Sequence, residues 1–387
     1  MDNKQHLRLI IGGFLSLAVV MGIGRFAYTP LLPYMEEATG LSSFSSGLLA
    51  TWNYIGYFLG ALLAGRGTFH VRWFYVFLIV SAMTTYSMGV TESMSIWSAL
   101  RLLSGVASGF VFVYMSEWLI RRLAEDGRTR GVGLLYSGVG FGILFTGIAL
   151  PLLLPITTWQ IGWVFLGVVS IGLIGVIYQS TKHVTTRSLP APTNSVGKTK
   201  PLLSMNVLLV SYFLEGFGYI IYATFITSVL ATVASFSFDV VWIWAIVGIG
   251  AMPSCLFWAW LGQTIRKETA LILAYLIQVV SLILPIGLTD AFFIILSAFG
   301  FGATFMGITV LTIALAKEQQ STKPVVSQLT AAYAFGQLLG PFIAGMLLMV
   351  HVETIAFAIS AGVVTIALMF VCLSYLKRSG QHAIREY

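Results

Sequence analysis

The sequence predicts an all-α integral membrane protein whose twelve transmembrane helices form two six-helix bundles related by pseudo-two-fold symmetry. Three observations predict it. Of 387 residues, 58% are hydrophobic and 9% charged, whereas a soluble protein carries about 25% charged residues. Soluble domains in a chain of this length could not hide so much apolar surface, because most residues of a domain still touch water. The apolar residues fall into twelve runs long enough to span a bilayer, which takes roughly 17 to 25 residues. The basic residues occupy every second connection between those runs.

The runs lie at 8–34, 44–65, 72–90, 95–119, 131–154, 159–178, 203–234, 240–262, 269–288, 291–316, 325–350 and 355–376. The first is too long for the core of a signal peptide and lacks a small-x-small cleavage site before Arg25 interrupts it. Lys4 and Arg8 precede it, and Arg66 and Arg72 join runs 2 and 3. Arg121, Arg122, Arg128 and Arg130 join runs 4 and 5. Lys182, Arg187, Lys198 and Lys200 fill the 6–7 connection. Arg266 and Lys267 follow run 8, Lys317 and Lys323 follow run 10, and Lys377, Arg378 and Arg385 close the chain. These account for all but two of the 21 Lys and Arg residues. Glu36, Glu37, Glu92, Asp239, Asp290 and Glu353 lie on the opposite connections. By the positive-inside rule both termini are expected in the cytoplasm and the protein in the plasma membrane. The net charge of +7 is therefore a topology signal and implies no nucleic-acid partner.

Residues 179–202 form the one long polar connection, with Pro190, Pro192 and Pro201. The expected organisation is an N-terminal bundle at 1–178, a cytoplasmic linker at 179–202 and a C-terminal bundle at 203–387. The linker's Gly197-Lys198-Thr199 ends like a phosphate loop, but Pro192 occupies the first glycine position and no strand precedes it, so nucleotide binding is rejected. The two halves also echo each other. Gly22, Gly24 and Tyr28 of run 1 recur 194 residues later as Gly216, Gly218 and Tyr222, and Gly109 to Phe112 resembles Gly302 to Phe305. Internally duplicated transporters hold substrate near mid-membrane at the repeat interface.

Arg101-Leu102-Leu103-Ser104-Gly105 resembles the Arg-x-x-x-Gly motif in helix 4 of the major facilitator superfamily (MFS). Gly60-Ala61-Leu62-Leu63-Ala64-Gly65-Arg66 is similar to that superfamily's signature between helices 2 and 3. Gly24-Arg25-Phe26 with Pro30 and Pro33 is similar to its YbfB/YjiJ branch. The resemblance covers essentially the whole chain and implies the MFS fold, with solute transport by rocking of two bundles. It implies gating and packing roles for Gly60, Arg66, Gly105, Gly140, Gly340 and Pro341. Two departures stand out. Ala64 replaces the usual Asp of the 2–3 loop, weakening the carry-over of that loop's latch. The Gly-Pro pair that drug exporters carry in helix 5 is absent there, and Gly340-Pro341 lies in run 11 instead.

Arg25, Arg101 and Glu215 fall inside runs, where each ionised group costs roughly 2.5 to 3.5 kcal/mol unless a polar cavity or partner receives it. At ~1.5 Å rise per residue, Arg25 lies about 14 Å and Arg101 about 9 Å below the outer helix ends, and Glu215 lies near the midplane. Helical spacing puts Met21, Arg25 and Tyr28 on one face and Glu215, Tyr219 and Tyr222 on its counterpart. Asn53 shares a face with Tyr57, and Tyr333 with Gln337. The expected substrate-binding set is Arg25, Tyr28, Asn53, Arg101, Tyr219, Tyr222, Tyr333 and Gln337, with Glu215 as the proton-coupling residue.

Alternatives are open at each position. Arg25 could snorkel to headgroups or pair with Glu36 or Glu37, Arg101 could bond backbone carbonyls, and the tyrosines and amides could be packing or interhelical bonds. Glu117 precedes Arg121 by one helical turn and reads as a local ion pair. The leading expectation is a proton-coupled secondary transporter of a small organic anion, monomeric in the lipid bilayer. The alternative is an exporter of lipophilic cations with Glu215 as counter-charge. No enzyme, cofactor or metal is expected, because none of the five His lies mid-span and no catalytic pattern occurs.

Overall fold

The computed structural model describes residues 3–67, 69–125, 131–182, 202–233, 239–288, 290–319, 325–349 and 353–385. Most of the expected linker, with its Gly197-Lys198-Thr199, lies outside the described residues. Within them the chain is helical, and no strand occurs among the described residues. Helix 1 is built from Asn3–Leu17, a π-helical stretch Ala18–Ile23 and Tyr28–Thr39. Helices 2 to 6 are Ser43–Gly65, Val71–Met88, Met94–Glu125, Gly131–Leu153 and Trp159–Thr181. Helices 7 to 12 are Met205–Val233, Trp242–Thr264, Lys267–Gly287, Ala291–Gln319, Val325–Leu348 and Glu353–Arg385.

Eleven of these helices are long and apolar enough to cross a membrane. Helix 3 is shorter, at 18 residues, but ~1.5 Å per residue still gives it about 27 Å against a hydrocarbon core of about 30 Å. Local chemistry sets several ends. Gly40 stops helix 1 in the left-handed conformation at φ 68° and donates its N–H to the Glu36 carbonyl. Ser42 accepts the Ser45 N–H to start helix 2, and His70 accepts the Arg72 N–H to start helix 3.

Among helices 1 to 6, packing joins helix 2 to 4, 3 to 4, 3 to 6, 1 to 5 and 1 to 6. Among helices 7 to 12 it joins helix 8 to 10, 9 to 10, 9 to 12, 7 to 11 and 7 to 12. Each pair in the first set has a counterpart six helices later. Helices 2 and 11, and helices 5 and 8, join the two sets. Small residues permit the tightest approaches. A side chain at Gly105 would strike the Asn53 carbonyl, and one at Gly56 the Leu102 carbonyl, so helices 2 and 4 meet backbone to backbone.

The surface inverts that of a soluble protein. Leu152, Val168, Phe292 and Leu373 are exposed, while Arg25, Arg101 and Glu215 are at most 1% exposed. Burying charge and exposing large apolar side chains is favourable only where the outer solvent is lipid.

Candidate functional site

Helix 1 is interrupted where Arg25 emerges. Gly24 and Phe26 donate to the carbonyls five residues back, at Val19 and Met21, and residues 24–27 form turns before the helix resumes. The sequence enforces the break. Pro30 has no N–H for the Phe26 carbonyl, which takes the Thr29 N–H at 3.3 Å instead. Wide π-type turns of this kind recur at functional sites because they redirect one side chain.

Arg25 sits over the faces of Tyr57 and Tyr54, its guanidinium carbon 4.1 Å and 4.6 Å from the ring centroids. Arg101 sits over Tyr28 at 4.6 Å. Such contacts are worth about 2 kcal/mol each when desolvated, enough to offset most of the cost of burying the charges. These contacts leave several guanidinium nitrogens without a hydrogen-bond partner. Nε and Nη2 of Arg25, and Nε of Arg101, are buried without a hydrogen-bond partner, and Nη1 of Arg25 lies 3.9 Å from the Met21 sulfur. Among the described residues neither guanidinium forms an ion pair.

The second set of helices supplies the facing surface. Tyr219 of helix 7, Phe301 and Phe305 of helix 10 and Tyr333 of helix 11 lie nearly parallel. Tyr219 stands 5.7 Å from Phe305 at 7° and 5.2 Å from Tyr333 at 17°. Gln337 donates its amide N–H to the Tyr219 hydroxyl, and its Oε1 is buried without a partner. Phe26, next to Arg25, meets Phe305 edge-on at 6.1 Å. Asn53 is buried at the 2–4 contact, donates to the Arg101 carbonyl at 2.9 Å, and leaves Oδ1 open. Tyr28 donates to the Ser46 carbonyl at 2.9 Å while its ring lies under Arg101.

Two residues expected on the same face of helix 7 make their hydrogen bonds to other helices. Glu215 accepts the Gln278 amide N–H from helix 9 at 2.5 Å, with its second oxygen buried and unpartnered. The Tyr222 hydroxyl shares a hydrogen bond with Ser297 at 2.8 Å, and its ring packs on Phe301 and Phe357. Residues at i, i+4 and i+7 spread over about 60° of a helix. Helix 7 is covered by neighbours on several sides, so the edges of that arc meet different helices. Tyr219, at one edge, is the member that reaches the wall facing the arginines.

Interhelical hydrogen bonds flank these residues at both ends. At the end where helices 1 and 7 lead into 2 and 8, Thr29 donates to the Ala223 carbonyl and Thr227 to the Thr29 carbonyl, both at 2.6 Å. Ser46 donates to Glu36 at 2.7 Å, and Tyr34 donates to Asp239. At the other end Glu117 takes the Lys317 ammonium at 2.5 Å and the Val326 N–H at 3.2 Å. Arg121, the local partner expected for Glu117, lies at 3.6 Å. Ser327 donates to the Ala61 carbonyl at 2.8 Å.

The gating and packing residues divide between these regions. Gly60 lies against the Val106 carbonyl, Gly140 against the Met252 backbone and Gly340 against Ile220. The Pro341 carbonyl faces Gly47 of helix 2, and Arg66 is exposed just past the end of that helix. Sequence reasoning left out Tyr54, Phe301 and Phe305 as site residues and Lys317 as a partner for Glu117. An i, i+4 aromatic pair in helix 10 was the available signal for the phenylalanines, but phenylalanine is too common in membrane helices to single them out. No cluster of three or more metal-ligating side chains occurs among the described residues.

Helices of this length, with buried charge at their centre and apolar surface outside, define a multi-pass membrane protein. Its architecture is similar to that of the solved nucleoside transporter NupG, with a TM-score of 0.68 at 15% identity over 97% of this chain and 99% of that one. The fold is thus that of the major facilitator transporters. The chain belongs to the MFS_4 family, described as "Uncharacterised MFS-type transporter YbfB", which matches residues 17–372. An uncharacterized MFS-type transporter of Yersinia pestis (strain Pestoides F) is 21% identical over 397 aligned residues, spanning 99% of this chain and 98% of that one. The uncharacterized MFS-type transporter YceJ of Bacillus subtilis (strain 168) is 24% identical over 52% of this chain and 53% of its own. Family and fold are those of transporters, not of enzymes.

Proposed function

We propose that this membrane transporter carries a small organic anion, binding it between Arg25 and Arg101 and exposing it alternately to the two sides of the membrane. The observation that carries this reading is the pair of buried guanidiniums with unpartnered nitrogens and no acidic partner among the described residues. Leaving a buried charged donor unsatisfied costs more than the ~1 to 3 kcal/mol of a neutral group, a cost that an anionic ligand removes. The repeated packing pattern and the interhelical hydrogen bonds at opposite ends support two rocking halves, at 1–178 and 203–387 with the linker between them. Glu215, buried beside Gln278 and free of any cation among the described residues, is the residue we assign to proton coupling. The charge pattern of the loops supports a plasma-membrane protein with both termini in the cytoplasm.

The test is ligand-induced thermal stabilisation of the purified protein by organic anions, by lipophilic cations, and by a neutral nucleoside, the cargo named for the solved NupG. Stabilisation by anions that is lost in Arg101→Gln supports the proposal. Stabilisation by cations that is lost only in Glu215→Gln establishes the exporter reading in its place. A ligand at 100 times its Kd adds about 2.7 kcal/mol, which is readily measured.

A further inference from the structure

Arg25 and Arg101 emerge at a single contact between helices 1 and 4. Ser104 of helix 4 donates to the Gly24 carbonyl at 3.3 Å, and one turn away along both helices Arg101 covers the Tyr28 ring at 4.6 Å. The two arginines are therefore offset by about one helical turn, roughly 5 Å along the axis. Helix 2 joins them from a third side. Its Asn53 bonds the Arg101 carbonyl, and the next residue, Tyr54, lies under Arg25. Arg101 is near enough to interact electrostatically with both Arg25 and Tyr54.

This leaves two positive charges side by side and uncompensated. Both arginines are 1% exposed, and neither forms an ion pair among the described residues. Glu215, buried as deeply, accepts its hydrogen bond from Gln278 of helix 9 instead. The tyrosine faces attract the guanidiniums, but a neutral ring cancels no charge. A monovalent anion would neutralise one guanidinium and leave its neighbour buried without a counter-charge, a costly arrangement in a low-dielectric interior. The unpartnered donors are divided between the two residues. Nε and Nη2 of Arg25 share one edge of the guanidinium, the fork that a carboxylate or phosphate spans with two parallel hydrogen bonds, and Nε of Arg101 is the third.

We infer that the ligand carries two negative charges, one met by the fork of Arg25 and the other by Arg101. This deepens the anion reading and rests on it. The chemistry required is a doubly charged anion compact enough to touch two residues one helical turn apart, which a short dicarboxylate and a phosphate monoester both supply and a monocarboxylate does not.

Two matched pairs of probes separate charge from shape. Succinamate is succinate with one carboxylate replaced by a carboxamide, and dimethyl phosphate is methyl phosphate with one charge capped by a methyl group. Affinities for the full-length protein in detergent are measured by calorimetry at pH 8, where succinate and methyl phosphate are doubly charged, on wild type and Arg101→Gln. The expected result is that at least one dianion binds tenfold or more tighter than its monoanionic partner, a difference of about 1.4 kcal/mol, and that the ratio falls near one in Arg101→Gln. The pair that shows the preference tells a dicarboxylate from a phosphate ester. Monoanions binding as tightly as dianions in both pairs, or a preference that persists unchanged in Arg101→Gln, overturns the dianion assignment and leaves the anion reading standing. Binding of none of the four overturns both. Because each pair is compared first on wild type, the ratio there decides the matter even if Arg101→Gln does not fold.

Discussion

The Thr29 hydroxyl donates to the carbonyl of Ala223 at 2.6 Å, and 194 residues separate the two, the same interval that relates Gly22 to Gly216 and Tyr28 to Tyr222. Helix 1 therefore touches helix 7 at its own equivalent position. An element lying on a two-fold axis meets its own copy, so this contact supports the duplication reading. Pro33 explains the return bond. Having no N–H, it leaves the Thr29 carbonyl without its helical donor, and the Thr227 hydroxyl takes that place at 2.6 Å. If these two bonds close one end of the site, Thr29→Val with Thr227→Val opens it. Maleimide labelling at Thr224→Cys, in a Cys255→Ser, Cys372→Ser background, is then expected to accelerate several-fold. An unchanged rate means that other contacts hold the end shut.

Arg25→Lys keeps the charge and removes the fork. A lysine ammonium is a point donor without the planar edge, and truncating a buried charged contact costs about 2 to 5 kcal/mol. Carboxylate affinity is expected to fall at least 30-fold in Arg25→Lys as well as in Arg25→Gln, as read by calorimetry. Full retention by the lysine variant would show that charge alone suffices.

Glu215→Gln preserves the amide-compatible shape beside Gln278 and removes the titratable proton. Accumulation driven by a pH gradient in proteoliposomes is expected to be lost, while counterflow exchange at equal pH persists. A variant that still responds fully to the gradient removes Glu215 from the coupling role.

Glu117 holds Lys317 and the first turn of helix 11 together. Removing it forfeits a helix-capping acceptor, worth about 1 kcal/mol, and an ion pair worth up to about 1 kcal/mol. Lys317→Ala forfeits only the pair. Thermal unfolding is expected to rank Glu117→Ala below Lys317→Ala, with both below wild type. The reverse order would mean that the contact to helix 11 carries no stability.

Gly105 and Gly172 make a matched pair. A side chain at Gly105 meets the Asn53 carbonyl, whereas one at Gly172 meets nothing within 4 Å. Gly105→Leu is expected to abolish monodisperse expression, since overpacking costs typically 1 to 3 kcal/mol and more against backbone. Gly172→Leu is expected to express as wild type. Size-exclusion profiles of the two decide the matter.

Much of this molecule was legible without coordinates. The positions of the helices, the membrane setting and the placing of Arg25, Arg101 and Glu215 inside helices follow from one-dimensional quantities: run length and charge spacing. Helical periodicity also grouped Tyr333 with Gln337, both of which lie beside Tyr219 in the structure. It could not reveal that Tyr222 turns to Ser297 or that Glu215 turns to Gln278. A face of a helix is set by its own sequence, but the neighbour that covers each part of that face is set by the other helices. Glu117 shows the same division. Sequence spacing offered Arg121 one turn away, and the fold supplied Lys317, two hundred residues on, at a shorter distance. Tyr54 and Tyr57 under Arg25, and the parallel rings opposite, arise where helices from both ends of the chain converge. Hydropathy and charge are summed along the chain and therefore survive in the sequence, whereas the partner of a buried polar group depends on packing between segments distant in sequence and exists only once those segments meet.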